Sequence, residues 1–151
     1  MIHRHRRLRV RVERESRTGE ERQKESREKR AEVYAAFLAA ARDADAKSVV
    51  PPRDSQASAS QAAVERITQK KLFSAALVVM RKQQDLIYIY GSDDGWSAAD
   101  DLYTAISRRY AVAVVTGTSA PGPADNVDAG LLRFQNIFCR EASATPRKGC
   151  G

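Results

Sequence analysis

Between Lys29 and Ala46 the chain reads KRAEVYAAFLAAARDADA, a run dominated by strong helix formers. Tyr34, Phe37, Leu38, Ala41 and Ala44 recur at spacings of three and four, so a helix here carries one apolar face. Pro51 and Pro52 stop it, because proline lacks an amide donor and pushes its predecessor out of helical geometry. A helix with a single apolar face is stable only when that face is buried against other elements. The rest of the chain must therefore supply partners for it.

Three further segments do so. Serines at 58 and 60 can cap a second helix that runs to Tyr90. Leu72, Ala76, Val79, Leu86 and Tyr90 give it a heptad-like stripe of the coiled-coil kind, with Gln83 interrupting. Gly91 can end this helix and Ser92 can cap a third, with Asp93 and Asp94 in its first turn, where carboxylates suit the helix dipole. Trp96, Ala99, Tyr103, Ile106 and Tyr110 form the seam of that third helix. Residues 117–126 hold Gly, Pro, Ser and Asp and read as a loop. A fourth helix follows, with Val127, Leu131, Phe134 and Phe138 on one face. Two segments stay open between helix and strand: Leu86-Ile-Tyr-Ile-Tyr and Ala111-Val-Ala-Val-Val, both rich in residues that suit a strand.

The net charge is +7, and it is concentrated. Residues 1–30 hold twelve Lys and Arg against six Glu, so the remaining residues are nearly neutral. Glu13/Arg17, Glu20/Lys24 and Glu25/Lys29 stand four apart in the favourable order for helix pairs. The expected form is a solvated helix that frays at Thr18-Gly19. The first eleven residues carry Arg4, Arg6, Arg7, Arg9 and Arg11 with no acid, and are expected to be disordered through self-repulsion. Such a cluster draws a polyanion, either nucleic acid or anionic lipid. No aromatic residue is interleaved among these arginines, which argues against reading of base identity.

Residues of catalytic type are sparse. His3 and His5 lie at the basic end, and no other histidine is present to act as a general base for a cysteine nucleophile. Cys139 and Cys150 form no CxxC pair, and the four-ligand spacing of structural zinc is missing, so neither a metal nor a cofactor is expected. Cys139 reads as an inert helix thiol, and the absence of an apolar leader segment points to a reducing cytoplasm. No apolar run reaches the ~20 residues that a bilayer-spanning helix needs. Asp93-Asp94 and Asp100-Asp101 read as cap and solvent-face charges, and Tyr88, Tyr90 and Trp96 as core or interface aromatics rather than base-stacking platforms.

Two resemblances add to this reading. RAEVYAAFLAAA, IYIYGS, WSAADDLYTAI and RFQNIFCREASATPR together resemble a group of uncharacterised helical proteins from actinobacteria and their phages, over most of residues 29–148. That resemblance implies an antiparallel helical bundle and no activity. LIYIYGS, AVAVVTG and PGPADNVDAG resemble the first half of the LOG and lysine-decarboxylase-like Rossmann proteins. There Gly91, Ser92, Thr116, Gly117, Pro121 and Gly122 would line a nucleotide phosphate site at a helix N-terminus. Thr118-Ser119 replace that family's paired glycines.

The leading expectation is an all-α protein: an antiparallel bundle of about four helices over residues 29–145, with a long charged N-terminal helix or arm at 1–28 and a tail at 146–151. It would act without catalysis, through a protein partner or self-association of its helices, with the arm attaching to a polyanion. The alternative is a degenerate nucleotide-binding Rossmann protein.

Overall fold

The computed structural model describes residues 2–50, 56, 58–117 and 126–142, with side chains from Thr18 onward. It contains α1 (Ile2–Ser48), α2 (Ala59–Tyr90), α3 (Asp93–Thr116) and α4 (Asn126–Ala142), and no strand among the described residues. The protein is an all-α helical bundle. Its tail, 146–151, lies outside the described residues.

The helix ends follow local chemistry. Ser58 caps α2 by accepting from the Gln61 amide at 3.3 Å, and the Gln61 side chain accepts in return from the Ser58 amide at 3.1 Å. Ser92 caps α3 by accepting from the Gly95 amide at 2.9 Å. Gly117 closes α3 in the left-handed region, φ 69°, where a Cβ is disfavoured. α1 is a single helix that passes through Thr18-Gly19 without the expected fray, and it is helical back to Ile2, where disorder is expected from the arginine charge. Its 47 residues make a rod of ~70 Å.

Side-chain contacts fix the directions. Gln69 near the start of α2 donates to the Lys47 carbonyl at the end of α1, whereas Arg30 meets the Tyr90 carbonyl at the end of α2, so α1 and α2 are antiparallel. Phe73 stacks on Tyr110 with ring centroids 4.0 Å apart, and Arg81 lies near Asp100, so α2 and α3 are antiparallel as well. α4 runs back along α1 and α3, bringing Glu141 to Tyr34 and Ser92. α1 also touches α3, while α2 and α4 do not meet among the described residues. They occupy opposite corners, each with one face turned outward.

The core face of α1 follows the expected spacing: Tyr34, Phe37, Ala41 and Ala44 are fully buried and Leu38 partly so. Phe134 of α4 packs between Tyr34 and Phe37, with centroids at 5.3 and 4.8 Å. α3 buries Ala98, Ala99, Leu102 and Ile106, while Tyr103 and Tyr110 sit half-buried at the margin of the expected seam. α2 departs more. It buries Phe73, Ala76, Met80, Gln84 and Ile87, so of the expected stripe Ala76 is buried and Leu86 packs partly buried against the core, while Leu72, Val79 and Tyr90 remain exposed. The helix is apolar on two sides, and Phe73 on Tyr110 decides which one faces inward. Gln84 tolerates burial because its amide donates to Asp100 Oδ1 at 2.9 Å and its carbonyl accepts from Arg81 at 3.2 Å.

Both ambiguous segments are helical. Residues 86–90 finish α2 and 111–115 finish α3. The strands of the nucleotide-binding alternative are therefore helix here, and a Rossmann sheet has nothing to be built from among the described residues.

Candidate functional site

Two features stand out where the bundle meets the arm. The first is the arm itself. Residues 18–28 of α1 are exposed on every side, and cover by the other helices begins at Lys29 and Arg30. Arg30 donates to the Tyr90 carbonyl at 3.2 Å, and the Lys29 ammonium lies 5.3 Å from the Tyr90 ring centroid. Lys24–Glu28 at 3.9 Å and Lys29–Glu32 at 3.4 Å are solvent-exposed pairs that add helix support and little stability. Arg4, Arg6, Arg7, Arg9 and Arg11 belong to the same helix, with side chains that lie outside the described ones.

The second feature is a polar knot at the end of the bundle from which the arm leaves. Glu141, in the last turn of α4, accepts from the Tyr34 phenol and from the Ser92 hydroxyl, each at 2.5 Å. The Ser92 amide donates to the Tyr34 oxygen at 3.1 Å. A carboxylate in a last helical turn opposes its own helix dipole. Here it faces the positive N-terminal end of α3 and two hydroxyl donors, which offsets that cost. Burial, and then the bond to Glu141, raise the Tyr34 phenol above its ordinary value, so at neutral pH it is a donor. Gly95 is required at this point: a Cβ there would fall inside the Tyr34 hydroxyl.

The knot joins α1, α3 and α4 through one carboxylate. Ser92 Oγ already serves as the α3 cap and as a donor to Glu141. The arrangement ties three helices together at one carboxylate. Ser92 was legible as a cap. Glu141 was not singled out, although an acid in a last helical turn is the signal that would have found it.

The residues of the alternative phosphate site do not converge. Gly91 and Ser92 precede α3, and Thr116 and Gly117 close it, so the two pairs are separated by the length of a helix of 24 residues, ~35 Å. Pro121 and Gly122 lie outside the described residues. Asp93, Asp94 and Asp101 are exposed, and Asp101 pairs with Arg133 at 2.7 Å. Tyr88 is 76% and Trp96 38% exposed, which leaves the interface half of their core-or-interface reading; their rings meet edge to face at 6.2 Å on the bundle surface. Cys139 is half-buried and disulfide-bonded, which corrects its reading as a free thiol. His3 and His5 have no described side chains.

At the opposite end, Asp45 Oδ1 accepts from Arg109 at 2.9 Å. Desolvation outweighs that pairing, and Asp128 adds to it, so the Asp45 carboxyl is held above the usual carboxylate range. Its contribution to stability is fully present below the ordinary carboxylate value and is lost as pH rises through its raised folded value. Asp45→Asn is therefore expected to flatten the stability profile in that acid window, as read by urea unfolding at a series of pH values. An unchanged slope there would show that Asp45 titrates as it does in the unfolded chain.

No helix of the described residues is long and apolar enough to cross a membrane. The chain matches no family model, no curated protein and no solved structure.

Proposed function

We propose that this is a non-enzymatic helical interaction protein whose N-terminal arm attaches it to a polyanion while the bundle serves as a rigid base. The observation that carries the reading is the concentration of positive charge in residues 1–30, on the helix that leads into the bundle. Residues 1–30 hold twelve of the 26 Lys and Arg, and residues 18–28 are exposed. A basic rod beside a nearly neutral bundle gives attachment that is salt-sensitive and independent of sequence. The exposed Tyr88–Trp96 pair, at the end from which the arm leaves, supports single-stranded nucleic acid among the polyanions, because exposed aromatic faces stack on bases. A cytoplasmic location belongs to this reading. A Cys139 disulfide that survives thiol trapping in freshly lysed cells would count against it.

The experiment is deletion of residues 2–11, with binding measured at low salt to single-stranded oligonucleotide, duplex and vesicles containing anionic lipid. The reading predicts weaker binding to at least one of these. Equal binding by the full and the shortened chain to all three would end it.

A further inference from the structure

The outward face of α2 carries a pattern that the bundle does not use. Ile67, Val78 and Ile89 are 56%, 67% and 65% exposed, and they stand eleven residues apart. Eleven residues nearly complete three helical turns, so the three side chains lie on one line with ~20° of drift per step. Val64, 62% exposed, extends the line toward the start of the helix. α2 touches α1 and α3 and not α4, so no other described helix covers this face. Lys71 and Asp85 project between the apolar positions; both are exposed, and neither has an ion-pair partner among the described residues.

We infer that this face binds a second copy of the chain, with α2 antiparallel to α2 about a two-fold axis through Val78. The stripe is self-complementary in that register. Val78 meets Val78 once, on the axis, and Ile67 meets Ile89 and Lys71 meets Asp85 twice each. A parallel pairing in register sets Lys71 against Lys71 and Asp85 against Asp85, and like charges facing each other disfavour it. The charges thus select one occupant and one direction. The contact extends from Ile67 to Ile89, ~33 Å along the axis. The arms then leave from opposite ends of the pair, and two arms on one particle strengthen attachment to a long polyanion through effective concentration. This inference rests on the reading of the protein as one that works through helix contacts, but it does not depend on what the arm binds.

The test is sedimentation equilibrium of the full chain in nuclease-treated, high-salt solution, where the arm's attachments are screened. The expected mass is twice 16.7 kDa at micromolar concentration. Val78→Glu is expected to return it to 16.7 kDa, with unchanged helicity because the side chain is exposed. Lys71→Glu and Asp85→Lys should each weaken the dimer by tenfold or more, on the order of 1.4 kcal/mol, and the double reversal should restore it. A monomer at every concentration overturns the inference. So does a dimer indifferent to Val78→Glu, or a double reversal no better than either single change. The polyanion reading is judged separately, by the arm deletion, so either can fail while the other stands.

Discussion

Phe134→Ala is expected to lower the stability of the bundle by about 3–5 kcal/mol, the cost typical of emptying a phenylalanine site in a close-packed core. Phe134 is fully buried and is the side chain on which α4 is fastened to α1. Its ring lies 5.3 Å from Tyr34 and 4.8 Å from Phe37, in tilted contacts that add to the area it buries. α4 is the shortest helix, with 17 residues, so it has few other apolar anchors. Val127 and Ile137 are the other buried ones. Domains of this size are stable by only ~5–15 kcal/mol, so the loss is a large share of the whole and should lower the melting temperature on the order of 10 °C. Chemical denaturation followed by circular dichroism reads it directly. A loss below about 1 kcal/mol would mean that α4 does not close the core as described.

Gly95→Ala carries a prediction of sign. In an ordinary helix interior the change stabilises by about 1 kcal/mol, because alanine is the better helix former. At Gly19, where nothing lies within 4 Å of a built Cβ, that gain is expected. At Gly95 the added methyl would occupy the place of the Tyr34 hydroxyl. The phenol must move, and Glu141 and the Ser92 amide then lose a partner together. Buried groups left unpaired cost about 1–3 kcal/mol each, so a net loss of roughly 2–4 kcal/mol is expected despite the helical gain. Tyr34→Phe removes the same bonds by another route, so the two changes should be strongly non-additive in a double-mutant cycle. Additive losses, or a Gly95→Ala variant more stable than the parent, would contradict the knot.

Much of the fold could be read from the residues because helix ends are chosen locally. Ser58, Ser92, Gly91 and Gly117 each satisfy or release backbone groups within a few residues, so their roles need no knowledge of the other helices. The inner face of α1 was also legible, since the opposite face of that segment is charged and only one burial is available. α2 was not, for the opposite reason. Leu72, Val79 and Tyr90 alternate with Phe73, Met80 and Ile87 around one helix, and periodicity cannot choose between two apolar faces. The choice lies in the partners: Tyr110 takes Phe73, and Asp100 makes Gln84 tolerable in the core.

The same division explains the candidate site. The charge of the arm is a property of composition and was plain from the residues. The knot joins Tyr34, Ser92 and Glu141, which are separated by 58 and 49 residues, so a local signal at Glu141 names none of its partners. The β-friendly residues at 86–90 and 111–115 left helix and strand open for a third reason. Ile87 is buried in the core and Ala113 against the bundle, while Tyr88, Ile89, Val112, Val114 and Val115 are exposed on helices long enough to carry them. Residue preference for strand is weaker than the tertiary context that surrounds it. What was read there as phosphate-binding punctuation, Gly91-Ser92 and Thr116-Gly117, is the beginning and the end of one helix.

The central claim is that attachment resides in the arginines of the arm and not in the bundle. Its most direct test replaces Arg4, Arg6, Arg7, Arg9 and Arg11 together with glutamine, which keeps helix propensity and removes charge. Duplex DNA binding is then measured across a salt series for both proteins. Each phosphate contact contributes ~0.9 to the slope of log affinity against log salt, so loss of five arginines should flatten that slope by about four to five, with weaker binding at low salt. The same slope and the same affinity in both proteins would contradict the claim and move the search for a polyanion site to the bundle.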